Sequence, residues 1–301
     1  MTCCIARTPE EWLAHPQGRL LASKPLIEVL KSGEGESVPF SGPRPLSGIR
    51  VLSLTHAIAG PTVGRTLAEH GAEVLQITDP HSYEHPAIWQ DANVGHRTSL
   101  VDLKTETGLA SVKALVRQTD VVVISFRPGK LDRLGLSPSE LRSLNPNLVI
   151  VNVSCYGNEG PWKNRGGFDM LGSAASGLTM IEGGGGPARL PGLGLLNDFV
   201  TGYLGAAGAT AALLRRSREG GTYTVNVSLT RNAMWCASLG TVGPLDKSEP
   251  HRLETPRMIE VATPLGQLRR LAPAVSLSET YPSWQTTVLE PLGSSQPRYI
   301  S

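Results

Sequence analysis

The sequence predicts an α/β protein built on a mostly parallel sheet with helices on both faces. Short β-rich runs alternate with segments of helical period from residue 47 onward, and glycine and proline fall at the joints between them. The longest apolar runs, residues 121–124 and 148–153, read as buried strands and are far shorter than the ~18 residues a membrane span needs. Residues 49–54 are the first strand. Gly60-Pro61 opens a helix over 62–70, Gly71 caps it, and residues 72–78 form the next strand, completing a βαβ unit. A second unit has a strand at 99–103, a helix at 105–118 with Leu109, Val112, Leu115 and Val116 on its apolar face, and a strand at 120–126. A short helix over 137–144, opened by Ser137-Pro138 and ended before Pro146, leads into the strand 148–153.

Beyond Tyr156 the pattern changes. A glycine-rich loop precedes a helix at 169–180, the run Gly183 to Gly186, and a long Ala- and Gly-rich helix over 198–216, whose end suits Arg215, Arg216 and Arg218. The strand 223–229 comes before one more helix. Three regions result: an N-terminal extension over 1–46 whose Gly, Ser and Pro cluster at 32–45 reads as a linker, a main domain over 47–240, and a Pro-rich tail over 241–301 expected to wrap over it in extended form.

Composition excludes several function classes. Lys plus Arg is 28 against 26 for Asp plus Glu, so a net charge of +2 supplies no field for nucleic acid or membrane surfaces, and any anion site must be local. Four cysteines without a C-x-x-C pair suggest neither a disulfide framework nor zinc, and seven scattered histidines show no ligand spacing, so no metal is expected. With no signal-peptide pattern at the start and no SKL at the end, the expected location is the cytoplasm.

The first βα turn, THAIAGPTVG, lacks G-x-G-x-x-G, so a nicotinamide cofactor has no direct support; the helix start there is either a phosphate site or a structural turn. No G-x-S-x-G marks a serine nucleophile. The run Gly183 to Gly186 is either a flap whose N–H groups approach an acyl oxygen or a bare linker. Two acids, Asp169 and Asp198, each begin an apolar helix. Such a residue is an N-cap or, held ionised by the helix dipole, a nucleophilic carboxylate, and spacing alone leaves both roles open.

Five segments in order, among them PLSGIRVLSLTHAIAGPTVGRTLAEHGAEVLQI, DVVVISFRPGKLDRLGLSPSELRSLNPNLVIVNVSCYGNEGPW, GGFDMLGSAASGL and LLNDFVTGYLGAAGATAALLRRSREGGTYTVNVSL, resemble the class III CoA-transferases, which include formyl-CoA and carnitine CoA-transferases and the 2-methylacyl-CoA racemases. The resemblance runs over about 185 residues, from Pro45 to Leu229. It implies a Rossmann-like domain acting as an acyl-CoA:carboxylate CoA-transferase, with acyl-CoA and a carboxylic acid as substrates and no permanently bound cofactor. The family's nucleophile falls on Asp198, with Asp169 as a neighbour. Its CoA-binding positions fall on Ala59, Val101, Lys104, Ser125, Phe126 and Arg133, with Arg97 nearby. Lys and Arg would pair with phosphates, and Phe126 would pack on the adenine or the pantetheine arm.

The departures from the family also carry weight. Phe168 stands where the racemases have a histidine, which removes one base and favours transfer over racemisation. Asp79 and Ile58 replace an Arg and a Gln of formyl-CoA transferase, leaving formate and oxalate unsupported. Members carry a second, smaller domain, and their chains interlock as dimers. The resemblance leads to the expectation that this chain lacks most of that domain, with residues 1–46 as its remnant. A homodimer or a partner chain is therefore expected to complete the site, and a non-catalytic CoA-binding subunit is the alternative.

Overall fold

A computed structural model describes residues 2–241, 255–284 and 288–300. Seven strands form one sheet: β1 (Glu28–Gly33), β2 (Arg50–Leu54), β3 (Glu73–Thr78), β4 (His96–Leu100), β5 (Val121–Ile124), β6 (Val149–Ser154) and β7 (Thr222–Ser228), in the spatial order β1-β7-β6-β5-β2-β3-β4. All pairings are parallel except that β1 runs antiparallel along β7. The chain starts the parallel part in the middle at β2, winds outward to β4, then returns to lay β5, β6 and β7 on the other side. The winding reverses between β2 and β5, and in such sheets the crevice outside the carboxyl ends of those strands takes ligands.

Successive side chains of a strand point to opposite faces, so each apolar strand feeds two cores. Val51, Val74, Val123, Val151 and Val225 pack under α3 (Ala59–Glu69) and α9 (Leu196–Glu219). Leu52, Leu75, Val122, Ile124 and Ile150 meet Val112 and Val116 of α5 (Glu106–Val116) and Leu141 of α6 (Pro138–Leu144) on the other face. Between these helices, α4 (Pro86–Ala92) leads into β4, while α7 (Asp169–Ser176) and α10 (Leu229–Ser238) pack against α9 and α8 (Leu178–Glu182) packs on α7 and α10. No described helix is long and apolar enough to cross a membrane.

The crossing of α3 and α9 positions the site. A Cβ on Gly202 would lie 2.5 Å from Thr62 Cβ, and one on Gly205 would lie 2.8 Å from Val63 Cγ2. Only glycine lets the two backbones approach this closely, which brings both helix N-termini to the carboxyl edge of the sheet.

Several elements differ from the sequence reading. Residues 32 and 33, read as the start of a linker, end the edge strand β1. The preceding residues fold into α1 (Pro9–Ala14) and α2 (Pro16–Ala22), with Trp12 fully buried and stacked on His15 at 5.3 Å. Gln17 donates to the Tyr156 and Glu159 carbonyls at 2.7 and 2.9 Å and accepts from the Trp162 N–H at 2.9 Å, so the extension grips the loop after β6. The strand expected at 99–103 lies at His96–Leu100, because the polar residues His96, Arg97 and Thr98 pair with β3 and defeat an apolar-run rule. The helix expected over 169–180 breaks at Gly177, whose φ of +94° is left-handed. The tail contains a hairpin, β8 (Met258–Thr263) with β9 (Gly266–Leu271), before residues 288–300 run past Gly95, Thr98 and Glu73. Its residues 242–254 lie outside the described ones.

Candidate active site

A cleft of about 490 Å³ opens where the loops after β2, β5 and β6 meet the starts of α3 and α9. Asp198 lines it and is 7% exposed. It sits in the first turn of α9, and the start of that helix is held by the second acid: Asp169 Oδ2 accepts from the Asp198 N–H at 2.9 Å. The cap therefore comes from Asp169, across space, and leaves the Asp198 carboxylate free for other work. Among the described residues no hydrogen bond to that carboxylate holds it in the charged form; burial, then the charge of Asp169, pushes its pKa up to about 7. Burial therefore works against the helix dipole, which favours the charged form. Burial also raises Asp169, against the backbone N–H groups of Asp198 and Asn197 that favour its charged form.

The start of α3 is the counterpart. Ile58 supplies no side-chain cap, and the N–H groups of Ala59 and Gly60, both lining the cleft, precede the first intrahelical donor, Thr62. Uncapped N–H groups at a helix start suit a developing oxyanion. The turn before them is strained: Ala57 has φ +60°, and Leu195, at the start of α9, has φ +58°. These are the two non-glycine residues in the left-handed region among those described; Ala57 lines the cleft, and Leu195 precedes Asp198 by three residues.

The cleft is cationic at its rim. Arg127, Lys130 and Arg165 line it together with His56, Ser125 and Phe126. Lys130 Nζ lies 4.4 Å from the Phe126 ring centroid, and the Arg165 guanidinium lies 4.2 Å over Trp162. The His56 N–H donates to Ser125 Oγ at 3.1 Å, tying the β2 loop to the β5 loop. Desolvation by the surrounding loops, then the charge of Lys130, lowers the His56 pKa, although the residue stays open to solvent. A second hollow of about 380 Å³ continues over β3 and β4, sharing His56, Phe126 and Lys130 and adding Val101, Lys104 and Glu84. No group of three His, Cys, Asp or Glu side chains able to hold a metal assembles among the described residues.

Of the residues picked from sequence, Asp198, Ala59, Ser125 and Phe126 line the first hollow and Val101 and Lys104 the second, with Phe126 common to both. Arg97 does not join them. It lies at the opposite edge of the sheet, where its Nη1 contacts Glu73 Oε1 at 3.2 Å and donates to the Arg298 carbonyl at 2.7 Å. Its strand begins three residues earlier than the sequence suggested, which places position 97 near the strand start. Arg133, on an exposed turn after β5, lines neither hollow. The run Gly183 to Gly186 closes a tight turn of its own and also lines neither. His56, Arg127, Lys130 and Arg165 were not picked from sequence. The available signal was position: His56, Arg127 and Lys130 directly follow the two strands that flank the winding reversal.

A sequence profile of CoA-transferase family III matches residues 46–258. The chain belongs to this family. It is 36% identical over 201 residues to the succinyl-CoA–D-citramalate CoA-transferase of Chloroflexus aurantiacus, covering 62% of this chain and 50% of that protein. It is 32% identical over 254 residues to the acetyl-coenzyme A transferase nodX of Hypoxylon pulicicidum, covering 79% and 43%. A crystal structure of Rv3272 from Mycobacterium tuberculosis superposes with a TM-score of 0.61 at 33% identity, covering 65% of this chain and 58% of that one. This family III chain thus spans about half the length of the curated relatives it matches.

Proposed function

We propose that this chain carries out CoA transfer between carboxylic acids, with Asp198 as the covalent carrier and a second copy or a partner chain completing the site. The observation that carries this reading is a buried carboxylate, free of hydrogen-bond donors, facing a cationic cleft at the winding reversal of a family III domain. The Asp198 carboxylate attacks the thioester carbonyl of an acyl-CoA, the C–S bond breaks, and a mixed anhydride forms as CoA thiolate leaves. The thiolate then attacks the Asp198 acyl carbon, releasing the donor acid and leaving an aspartyl-CoA thioester. An acceptor carboxylate attacks that thioester, and the expelled thiolate takes the acceptor acyl group from the new anhydride, regenerating Asp198.

Each step passes through a tetrahedral oxyanion, for which the Ala59 and Gly60 N–H groups are uncapped donors lining the same cleft. Lys104 and Lys130 suit the phosphates and Phe126 the pantetheine arm. Asp198 must be ionised to attack, so burying it lowers the charged fraction near pH 7 but leaves the carboxylate poorly solvated. Phe168, 47% exposed beside the cleft, offers no base for removing an α-proton, which supports transfer over racemisation.

The test is intact-mass spectrometry after incubation with a panel of short and branched acyl-CoA thioesters, with a hydroxylamine quench and peptide mapping. The expected result is a hydroxamate on Asp198 that is absent from Asp198→Ala. A thermal shift with CoA but no adduct from any donor would instead make the chain a CoA-binding subunit without turnover.

A further inference from the structure

Two of the four cysteines line the same cleft, Cys3 and Cys155, and they differ chemically. Cys155 is 8% exposed, and burial pushes its thiol up to about 12, so it keeps its proton and is inert. Cys236 is half-buried and raised for the same reason. Cys4 is half-buried, with its Sγ donating to the Ile5 carbonyl at 3.3 Å and accepting from Arg7 Nη1 at 3.7 Å. Cys3 is the exposed thiol of the four.

Cys3 is also held in place. Arg165 Nη2 donates to its carbonyl at 3.3 Å while the guanidinium rests on Trp162. The segment behind it is fixed by the Arg7 N–H on the Ala174 carbonyl at 3.1 Å and by Thr8, which caps α1. The same cleft contains Asp198, more than nine-tenths buried and without a donor, and the cations Arg127 and Lys130.

We propose that Cys3 is a site of thiol–disulfide exchange with CoA disulfide, so that one CoA becomes covalently held in the mouth of the cleft. The inference rests on reading the cleft as a CoA site. The Cys3 thiolate attacks one sulfur of CoA disulfide, the S–S bond breaks, and Cys3–S–S–CoA forms. The departing CoA thiolate takes up the proton that Cys3 lost. Cys3 is oxidised to a mixed disulfide while half of the reagent is reduced to CoA thiol, so no further oxidant is needed. The attached CoA occupies the approach to Asp198, and a dithiol reductant releases it.

The experiment treats the full chain with CoA disulfide or glutathione disulfide at equal concentration, followed by non-reducing intact-mass measurement and peptide mapping. Because docking raises the local concentration of the reagent, CoA disulfide should label Cys3 about tenfold faster than glutathione disulfide. Adenosine 3′,5′-bisphosphate, a CoA fragment without sulfur, should remove that advantage. Cys3→Ser should lose the adduct and Cys4→Ser should keep it. Equal rates with the two disulfides, no effect of the competitor, or labelling at Cys4 would overturn the proposal. Labelling of Cys3 in a protein that forms no Asp198 hydroxamate would uphold this inference and sink turnover. A hydroxamate without Cys3 labelling would do the reverse, and the absence of both would end both readings.

Discussion

The two edges of the parallel sheet handle charge in opposite ways. At the amino edge, Arg216 is 2% exposed and holds Asp120 Oδ1 with Nη2 and the Asn147 carbonyl with Nη1, both at 2.8 Å. Asp120 Oδ2 accepts in turn from the Arg50 N–H at 2.9 Å, and Arg97 meets Glu73. The tail adds cover there: Tyr299 hydrogen bonds to Thr119 at 2.7 Å and the Ile300 N–H to Glu73 at 2.8 Å. At the carboxyl edge a buried carboxylate sits beside another acid, two residues hold left-handed φ, and one helix start is uncapped. Both edges are built from the same strands. The first uses its ion pairs to secure the fold, and the second leaves charge uncompensated where a ligand can compensate it.

The largest effect expected is at Asp198. Asp198→Asn should lower turnover by about a thousandfold or more, measured as CoA transfer from acyl-CoA to a carboxylate. The same change should stabilise the fold. Because the folded pKa is raised above the ordinary 3.8, the wild-type protein loses stability as pH rises through about 7. Asp198→Asn should therefore melt higher than wild type at pH 8, by at least about 1 kcal/mol, and equally at pH 3. An asparagine variant that is less stable at pH 8 would place Asp198 among the structural charges.

At the amino edge the same kind of change should do the opposite. Asp120→Ala leaves Arg216 buried without its carboxylate and should cost about 3 kcal/mol in denaturant unfolding. CoA affinity of the folded fraction should be unchanged, and a loss of affinity matching the loss of stability would erase the contrast between the edges.

The next effect separates the two acids. Transfer should rise with pH and level off above about 7 as Asp198 ionises. Asp169→Asn keeps an oxygen to accept the Asp198 N–H but removes the neighbouring charge, so it should move the midpoint to lower pH. A midpoint that stays in place would assign the shift to burial alone. The smallest effect compares two cations: Lys104→Ala should weaken CoA binding by about 0.5–1 kcal/mol in calorimetry, and Arg97→Ala should not change it.

The parallel core was legible because strands covered on both faces are apolar along almost their whole length, as 121–124 is and as 148–153 is but for Asn152. β4 was not, since its outer side is covered by the tail through Thr98 and Pro291, which lets polar residues form a strand. The N-terminal helices escaped notice because Trp12 and Gln17 are buried by partners some 140 to 220 residues away, Glu159 and Met234 among them. Asp198 was legible as a helix-opening acid, and the resemblance pointed to it over Asp169, but spacing alone did not divide their roles. That division depends on a hydrogen bond from the backbone of one to the side chain of the other, which no spacing rule contains. His56, Arg127 and Lys130 required the strand order, since only that shows which two loops face each other.

The most direct test of Asp198 as the carrier follows an oxygen atom. The acceptor acid is labelled with heavy oxygen in its carboxylate, turned over with acyl-CoA in ordinary water, and the Asp198 peptide is weighed. Attack of the acceptor on an aspartyl-CoA thioester leaves one acceptor oxygen on Asp198, so the peptide should gain heavy oxygen and the released donor acid should acquire it in later cycles. Turnover with an unlabelled Asp198 peptide would contradict the account, because the acyl group would then have passed between substrates without the aspartyl carrier.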